Sequence, residues 1–230
     1  MPNITAVFDL DGTLVDTAAD LISATNRTLG KIHLGPTSAG ILRPVVNSGA
    51  RAMLQAGLLH HGVSRSAVEV DALLEIFLAD YARHIAVESK PFPGALGALD
   101  KLKSAGARLS ICTNKREHLA RKLLTELKMD KLFDAVTGRD TLPVHKPDPG
   151  HLIGAVILAD GDLGRCVMIG DSEINIRTAK SAGIPVIGAG FGYSREPIGS
   201  FKPDLVLHSY DGLFAAIETL LPQVKLRRGA

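Results

Sequence analysis

The amino-acid sequence predicts an α/β protein with a doubly wound, Rossmann-like parallel sheet core and an inserted all-helical cap domain. From about residue 95 onward, short apolar segments alternate with helical ones, which is typical of a doubly wound sheet. Between residues 17 and 86, apolar residues recur at helical spacing and no strand pattern is clear. We therefore expect residues 1–16 and 87–230 to form the core domain and residues 17–86 to form the cap domain.

The individual elements follow from this periodicity and from residues typical of helix ends. A first helix is predicted over residues 17–29, with Thr17 as its N-cap and Gly30 after its end. A later cap helix is predicted to begin at Ser64 or Ser66. The predicted core strands are residues 4–8, 108–112, 135–137, 166–169, 184–187 and 205–207, and the predicted core helices are residues 95–104, 116–128, 149–159, 172–182 and 211–221. The tail 225–230 is predicted to fray.

Length and composition limit the classes of function. A chain of 230 residues with 46% hydrophobic and 22% charged residues is long enough to fold around its own core. The formal net charge is +2, and the tail residues Lys225, Arg227 and Arg228 supply three positive charges, so the rest is slightly negative. This balance predicts no nucleic acid partner.

The two cysteines and the N-terminus indicate a cellular location. Cys112 and Cys166 lie at or beside predicted buried strands, which favours reduced thiols, and the apolar surroundings of Cys112 disfavour a nucleophilic role for it. The N-terminus lacks a basic region followed by an apolar stretch, and no apolar window reaches the length of a membrane span. We expect a cytoplasmic protein without a membrane partner, whereas monomer and homodimer both stay open.

The first predicted strand ends in two carboxylates and a glycine, Asp9-Leu10-Asp11-Gly12. Side chains two residues apart on an extended segment leave the same face, so Asp9 and Asp11 are expected to share a pocket. Because two close carboxylates repel each other, a proton or a cation must lie between them. Mg²⁺ is the candidate, since it prefers oxygen ligands and is often held together with a substrate phosphate. Gly12 allows a tight turn and a close approach to a ligand.

Other polar residues follow later strands, at the sheet edge where ligands of open parallel sheets bind. Thr113 and Asn114 stand at a strand-to-helix junction, which suits phosphate oxygens but equally suits an ordinary helix cap. Lys146 lies in a loop stiffened by two prolines, although a lone lysine is usually a surface charge. Asp171 ends a buried strand, where a carboxylate is costly unless it binds something.

The run Asp9-x-Asp11-Gly12-Thr13-Leu14-Val15-Asp16-Thr17 resembles the signature of the haloacid dehalogenase superfamily, in its phosphatase branch. The resemblance implies that Asp9 attacks phosphorus to form an aspartyl-phosphate. It implies that Asp11 protonates the leaving alcohol and then activates water. Gly12 and Thr13 of the same run would then help to bind the phosphate.

The later motifs occur in the order of that family. Thr113, with Asn114 beside it, matches the motif that binds the transferring phosphate. Lys146 matches the lysine that neutralises charge on nucleophile and phosphate, and Asp171 matches the metal-binding aspartate. The resemblance implies Mg²⁺ held by Asp9, Asp11 through its backbone carbonyl, and Asp171. At Asn175 the family pattern often has a second carboxylate. The asparagine side chain brings no charge to the metal.

The resemblance implies a phosphomonoester hydrolase acting on a small phosphorylated metabolite, with phosphoglycolate phosphatase as the favoured subgroup. N-acetylmuramic acid 6-phosphate phosphatase is a close alternative. An isomerase of the β-phosphoglucomutase type and a non-catalytic binding protein are alternatives of other classes. We also consider Arg51, in the loop at residues 47–51, as a cation that binds a substrate carboxylate, since arginine forms bidentate pairs. A surface helix charge is the competing interpretation of Arg51.

Overall fold

The structure is a computed structural model that describes residues 4–222, and it confirms the predicted α/β class. The predicted frayed tail, residues 225–230, lies outside the described residues. The strands are β1 Thr5–Phe8, β2 Val15–Asp16, β3 Lys90–Pro91, β4 Arg108–Cys112, β5 Ala135–Thr137, β6 Cys166–Gly170, β7 Val186–Ala189 and β8 Leu205–Leu207. The helices are α1 Ala18–Gly30, α2 Ala39–Leu42, α3 Ala50–His60, α4 Ala67–Arg83, α5 Ala95–Ser104, α6 Glu117–Glu126, α7 Pro149–Leu158, α8 Glu173–Ser181 and α9 Leu213–Leu220.

The described chain divides into two compact units. One contains residues 4–15 and 91–222, and the other contains residues 16–90. Separate functions for these units, as core and cap domains, stay a prediction. None of the helices formed by residues 4–222 is long and apolar enough to cross a membrane.

The larger unit is built on a six-stranded sheet in the order β5-β4-β1-β6-β7-β8, with every neighbouring pair parallel. All four residues of β1 are buried, as expected for a strand covered on both faces. From β1, the strands follow in chain order toward β5 on one side of the sheet and toward β8 on the other, so the connections reverse their direction at β1. Phe8 at the end of β1 pairs in register with Ile111 of β4 and Ile169 of β6. The loops that follow these three strands therefore leave the same edge of the sheet, where parallel sheets bind ligands.

The smaller unit is helical between residues 17 and 86, all of which are described. Ser66 is the N-cap of α4: its hydroxyl accepts a hydrogen bond from the Glu69 amide, and the Glu69 carboxylate accepts one from the Ser66 amide at 2.8 Å. Thr17 occupies the N-cap position of α1, but its side chain makes no capping bond. Its backbone is nearly helical, with φ −103° and ψ 0°, whereas a capping residue usually has an extended backbone.

Candidate active site

Asp9 lies in the turn that follows β1, and three groups hold its carboxylate. The Leu10 amide donates to Oδ1 at 2.7 Å, and the Asn175 amide nitrogen donates to Oδ2 at 2.7 Å. The Lys146 ammonium lies 2.8 Å from the same Oδ2. Lys146 is 2% exposed, so its charge is almost fully removed from water and depends on this carboxylate. The structure therefore brings Asp9 and Lys146 together across the sheet edge.

Asp11 pairs with a lysine of its own. The Lys115 ammonium donates to Oδ1 of Asp11 at 2.9 Å and to Oδ2 at 3.0 Å. The expectation that strand alternation places Asp9 and Asp11 on one face stays a prediction: β1 ends at Phe8, and the Asp9 amide continues the pairing with β6 by donating to the Ile169 carbonyl at 2.9 Å. A separate ammonium thus accompanies each carboxylate.

Asp171 follows β6 and is fully buried. Its Oδ1 accepts a hydrogen bond from the Thr13 hydroxyl at 3.0 Å, and its Oδ2 accepts one from the Tyr193 amide at 2.9 Å. Gly12 has φ +78°, and a Cβ there would lie 2.4 Å from Asp171 Oδ2. A Cβ on Gly192 would lie 2.2 Å from Asp171 Cβ. Two glycines thus leave the space that this carboxylate fills.

Thr113 and Asn114 follow β4 at the same edge. The Thr113 side chain is buried, and its hydroxyl accepts a hydrogen bond from the Lys115 amide at 3.2 Å. The Asn114 amide nitrogen donates to the Lys146 backbone carbonyl at 3.0 Å. This bond ties the loop after β4 to the loop that carries Lys146.

Asn175 links helix α8 to Asp9. Its Oδ1 accepts hydrogen bonds from the Ser172 amide at 3.0 Å and from the Ser172 hydroxyl at 2.5 Å, which completes a capping box. The side-chain nitrogen is thereby directed to Asp9. Arg51 belongs to the helical unit, where it forms an ion pair with Asp71 of α4. Its role in binding a substrate carboxylate stays a prediction.

A family model described as haloacid dehalogenase-like hydrolase matches residues 6–189. The chain belongs to this family. The hydrolase is 43% identical over 217 residues to a phosphoglycolate phosphatase from Caulobacter vibrioides, covering 94% of this chain and 92% of the relative. It is 40% identical over 212 residues to a phosphoglycolate phosphatase from Agrobacterium fabrum, covering 92% and 91% of the two chains.

A solved structure shows the same fold. The crystal structure of a predicted phosphoglycolate phosphatase from Haemophilus somnus 129pt superposes with a TM-score of 0.86 and 26% identity, covering 94% of this chain and 98% of the other. These similarities confirm that the hydrolase is a phosphatase of the phosphoglycolate phosphatase-like subfamily.

The donor atoms of this hydrolase fit a magnesium ion by their chemistry. Asp9 and Asp171 supply carboxylate oxygens and Asp11 has a backbone carbonyl, and Mg²⁺ prefers oxygen ligands. Within residues 4–222, no three side chains of His, Cys, Asp or Glu cluster closely enough to hold a metal ion. A site with two carboxylates, one carbonyl, water and phosphate does not require such a cluster, because Mg²⁺ commonly keeps several waters.

Two residues near the site escaped the sequence interpretation. Lys115 follows Thr113 and Asn114, and its position in the loop directly after β4 was the signal that could have identified it. His151 of α7 had no sequence signal. It is fully buried, with Nε2 3.0 Å from the Gly138 carbonyl and Nδ1 3.5 Å from Cys112 Sγ. Burial, assisted by the nearby Lys146 charge, lowers the pKa of His151 to about 4, so the imidazole is neutral at pH 7.

Proposed function

We propose that the protein hydrolyses 2-phosphoglycolate to glycolate and inorganic phosphate through an aspartyl-phosphate at Asp9, with Mg²⁺ as cofactor. The observation that carries the chemistry is the buried Lys146 ammonium 2.8 Å from Asp9 Oδ2. It places a positive charge beside the carboxylate where a phosphoryl group would be transferred. The substrate is supported by relatives about 40% identical over nine-tenths of the chain and named phosphoglycolate phosphatase.

In the first step, an Asp9 oxygen attacks phosphorus while the bond between phosphorus and the glycolate oxygen breaks. Asp11 enters this step with the proton that it took from water in the second step of the preceding turnover, and it gives this proton to that oxygen, so glycolate leaves as the alcohol. Leu10 and Asn175 hold Asp9 in one orientation, which favours attack because the nucleophile needs no further ordering. Lys146 stabilises the negative charge that the reacting groups share.

In the second step, Asp11 takes a proton from water, and the water oxygen attacks the aspartyl-phosphate. The bond between phosphorus and Asp9 breaks, which regenerates the carboxylate and releases phosphate. Thr113 and Asn114, with Gly12 and Thr13, are proposed to bind the phosphate oxygens. Mg²⁺, held by the Asp9 and Asp171 carboxylates and the Asp11 carbonyl, would neutralise phosphate charge.

We also propose that residues 17–86 act as a cap domain that contacts the substrate and excludes water during the reaction. The helical composition of this segment, inserted directly after the Asp9 turn, supports the proposal. A cytoplasmic location stays a prediction.

The test is phosphate release by the purified protein from 2-phosphoglycolate, N-acetylmuramic acid 6-phosphate and glucose 6-phosphate, with Mg²⁺ or with EDTA. Asp9→Asn removes the nucleophile at nearly constant volume, and Asp100→Asn makes the same change on the exposed face of α5. We expect preferred hydrolysis of 2-phosphoglycolate, its loss with EDTA and with Asp9→Asn, and full activity in Asp100→Asn.

Other outcomes would overturn parts of the proposal. A preference for N-acetylmuramic acid 6-phosphate would refute the substrate but keep the mechanism. Interconversion of glucose 1-phosphate and glucose 6-phosphate without phosphate release would indicate the isomerase. An Asp9→Asn protein with unchanged activity would refute the role of Asp9.

A further inference from the structure

Lys115 is a buried cation in contact with the proposed acid and base. Its side chain is 6% exposed, and the ammonium lies 2.9 Å and 3.0 Å from the two carboxylate oxygens of Asp11. An ammonium removed from water in this way is costly unless an anion compensates it. The fold therefore places a second positive charge at the site, in addition to Lys146 on Asp9.

The backbone of Lys115 is held from both sides. Its amide donates to the Thr113 hydroxyl at 3.2 Å, and its carbonyl accepts a hydrogen bond from the Arg139 amide at 2.9 Å. The chain passes so close to Gly138 that a Cβ there would lie 2.3 Å from the Glu117 amide nitrogen and 2.8 Å from the Lys115 carbonyl oxygen. The ammonium is therefore carried by a backbone segment held in one position, which suits a residue that selects a ligand.

The geometry of the proposed substrate would bring its carboxylate near this ammonium. In 2-phosphoglycolate, one methylene separates the leaving oxygen from the carboxylate, and ordinary bond lengths put the carboxylate oxygens about 3 Å from that oxygen. To protonate the leaving oxygen, Asp11 must turn one of its own oxygens toward it. Lys115 then gives up part of its contact with Asp11, and the substrate carboxylate lies within reach of its three donors.

We propose that Lys115 is the specificity residue that binds the substrate carboxylate, so that the site selects phosphate esters of short 2-hydroxy acids. This inference rests on the proposed hydrolysis of 2-phosphoglycolate. Lys146 is less suited to the task, because its ammonium lies against Asp9, where the phosphoryl group is transferred. Selection of the substrate carboxylate is thereby assigned to the larger unit, and it does not depend on Arg51.

The test compares 2-phosphoglycolate with 2-hydroxyethyl phosphate, in which a neutral hydroxymethyl group replaces the carboxylate. The quantity measured is the ratio of kcat/KM for the two esters, in the unmutated protein and in Lys115→Met, Lys115→Gln and Lys115→Arg. Differences in leaving-group reactivity cancel when these ratios are compared between variants. Lys122→Met is the matched control, because Lys122 of α6 is exposed and pairs with Glu126, four residues further along the same helix.

We expect the preference for 2-phosphoglycolate to fall about tenfold to a hundredfold in Lys115→Met, as for loss of a hydrogen bond between charged groups. Lys115→Gln should behave similarly, Lys115→Arg should keep part of the preference, and Lys122→Met should keep all of it. Binding to proteins that also carry Asp9→Asn gives a readout without turnover. There Lys115→Met should weaken 2-phosphoglycolate binding and leave inorganic phosphate binding unchanged.

An equal loss with both esters would overturn the inference, because it would show that Lys115 only positions Asp11. If Lys115→Met does not give a cooperative melt, the same ratio in Lys115→Gln and Lys115→Arg decides the question. The proposed function is judged separately by the unmutated protein. If that protein does not hydrolyse 2-phosphoglycolate, the proposed function fails, whereas an unchanged ratio in the variants refutes only the role of Lys115.

Discussion

Replacing Asn175 by aspartate should make the protein dependent on a cation for stability. In the structure, Asn175 Oδ1 accepts two hydrogen bonds from Ser172, and Nδ2 donates to Asp9 Oδ2 at 2.7 Å. Aspartate has nearly the same shape and keeps an acceptor for Ser172. It replaces the donor, however, with a second carboxylate oxygen that faces the carboxylate of Asp9.

The expected size of the effect follows from these distances. Two unit charges at that 2.7 Å separation repel by about 6 kcal/mol at an effective dielectric constant of 20, which is an upper limit. Loss of the existing hydrogen bond to a charged group removes about 1.5–3 kcal/mol. Lys146, 2.8 Å from Asp9 Oδ2, attracts the new charge and offsets part of the repulsion. We expect Asn175→Asp to lose about 3 kcal/mol of unfolding free energy without metal, a fall in Tm of roughly 10 °C.

Thermal unfolding in EDTA and across a Mg²⁺ titration measures this effect. A cation between the two carboxylates removes their repulsion, so Mg²⁺ should raise the Tm of Asn175→Asp more than that of the unmutated protein. Calorimetric titration should show correspondingly tighter Mg²⁺ binding by the variant. Ser172→Ala is the control, because it weakens the cap of α8 by about 1 kcal/mol without adding charge.

Two results would refute this reasoning. One is an Asn175→Asp protein that melts in EDTA at the temperature of the unmutated protein. The other is a Mg²⁺-induced rise in Tm that is no larger in Asn175→Asp than in the unmutated protein or in Ser172→Ala.

Three further predictions concern residues of the larger unit. Gly192→Ala should lower both Tm and kcat/KM, the latter by at least about tenfold, because its Cβ would lie 2.2 Å from the Cβ of Asp171. Burial raises the pKa of Cys112 and Cys166 to about 12, so iodoacetamide at pH 8 should label neither thiol in the folded protein and both in denaturant, as read by mass spectrometry. The pKa of His151 is about 4 in the folded protein, below its ordinary value of 6.5. Between pH 6.5 and pH 4 the imidazole therefore takes up a proton when the protein unfolds, so the free energy of unfolding falls as the pH drops through this range. In urea denaturation, the difference in unfolding free energy between pH 7 and pH 4 should be about 3 kcal/mol smaller in His151→Gln than in the unmutated protein.

Each of these predictions has a control. Gly97→Ala adds a Cβ on α5 that, apart from its chain neighbours and the backbone of its own helix, has no atom of residues 4–222 within 4 Å, so it should keep both Tm and activity. Labelling of a single cysteine in the folded protein would show that its strand opens under native conditions. An unchanged pH dependence in His151→Gln would show that other groups cause the acid destabilisation.

The sequence alone was sufficient to predict the fold class and the loops where polar side chains gather. Alternating apolar segments predict a parallel sheet because strand and helix periods are local properties of the chain. The strand over residues 108–112 was located without error, whereas the strand at Val186–Ala189 was predicted two residues too early. In a parallel sheet all strand ends meet at one edge, so Asp9, Lys146 and Asp171 could be expected there before the structure was known.

The partners of these side chains depended on the tertiary structure. Lys115 pairs with Asp11, 104 residues earlier in the chain, and Asn175 donates to Asp9 across 166 residues. Such pairings depend on the path of each loop and on which rotamer the surrounding atoms allow, and neither is visible in local periodicity. From the sequence alone, Asn175 could be described only as an uncharged residue at a position where the family pattern often has a second carboxylate. In the structure its helix cap directs the amide nitrogen to Asp9, because the capping box engages the amide oxygen.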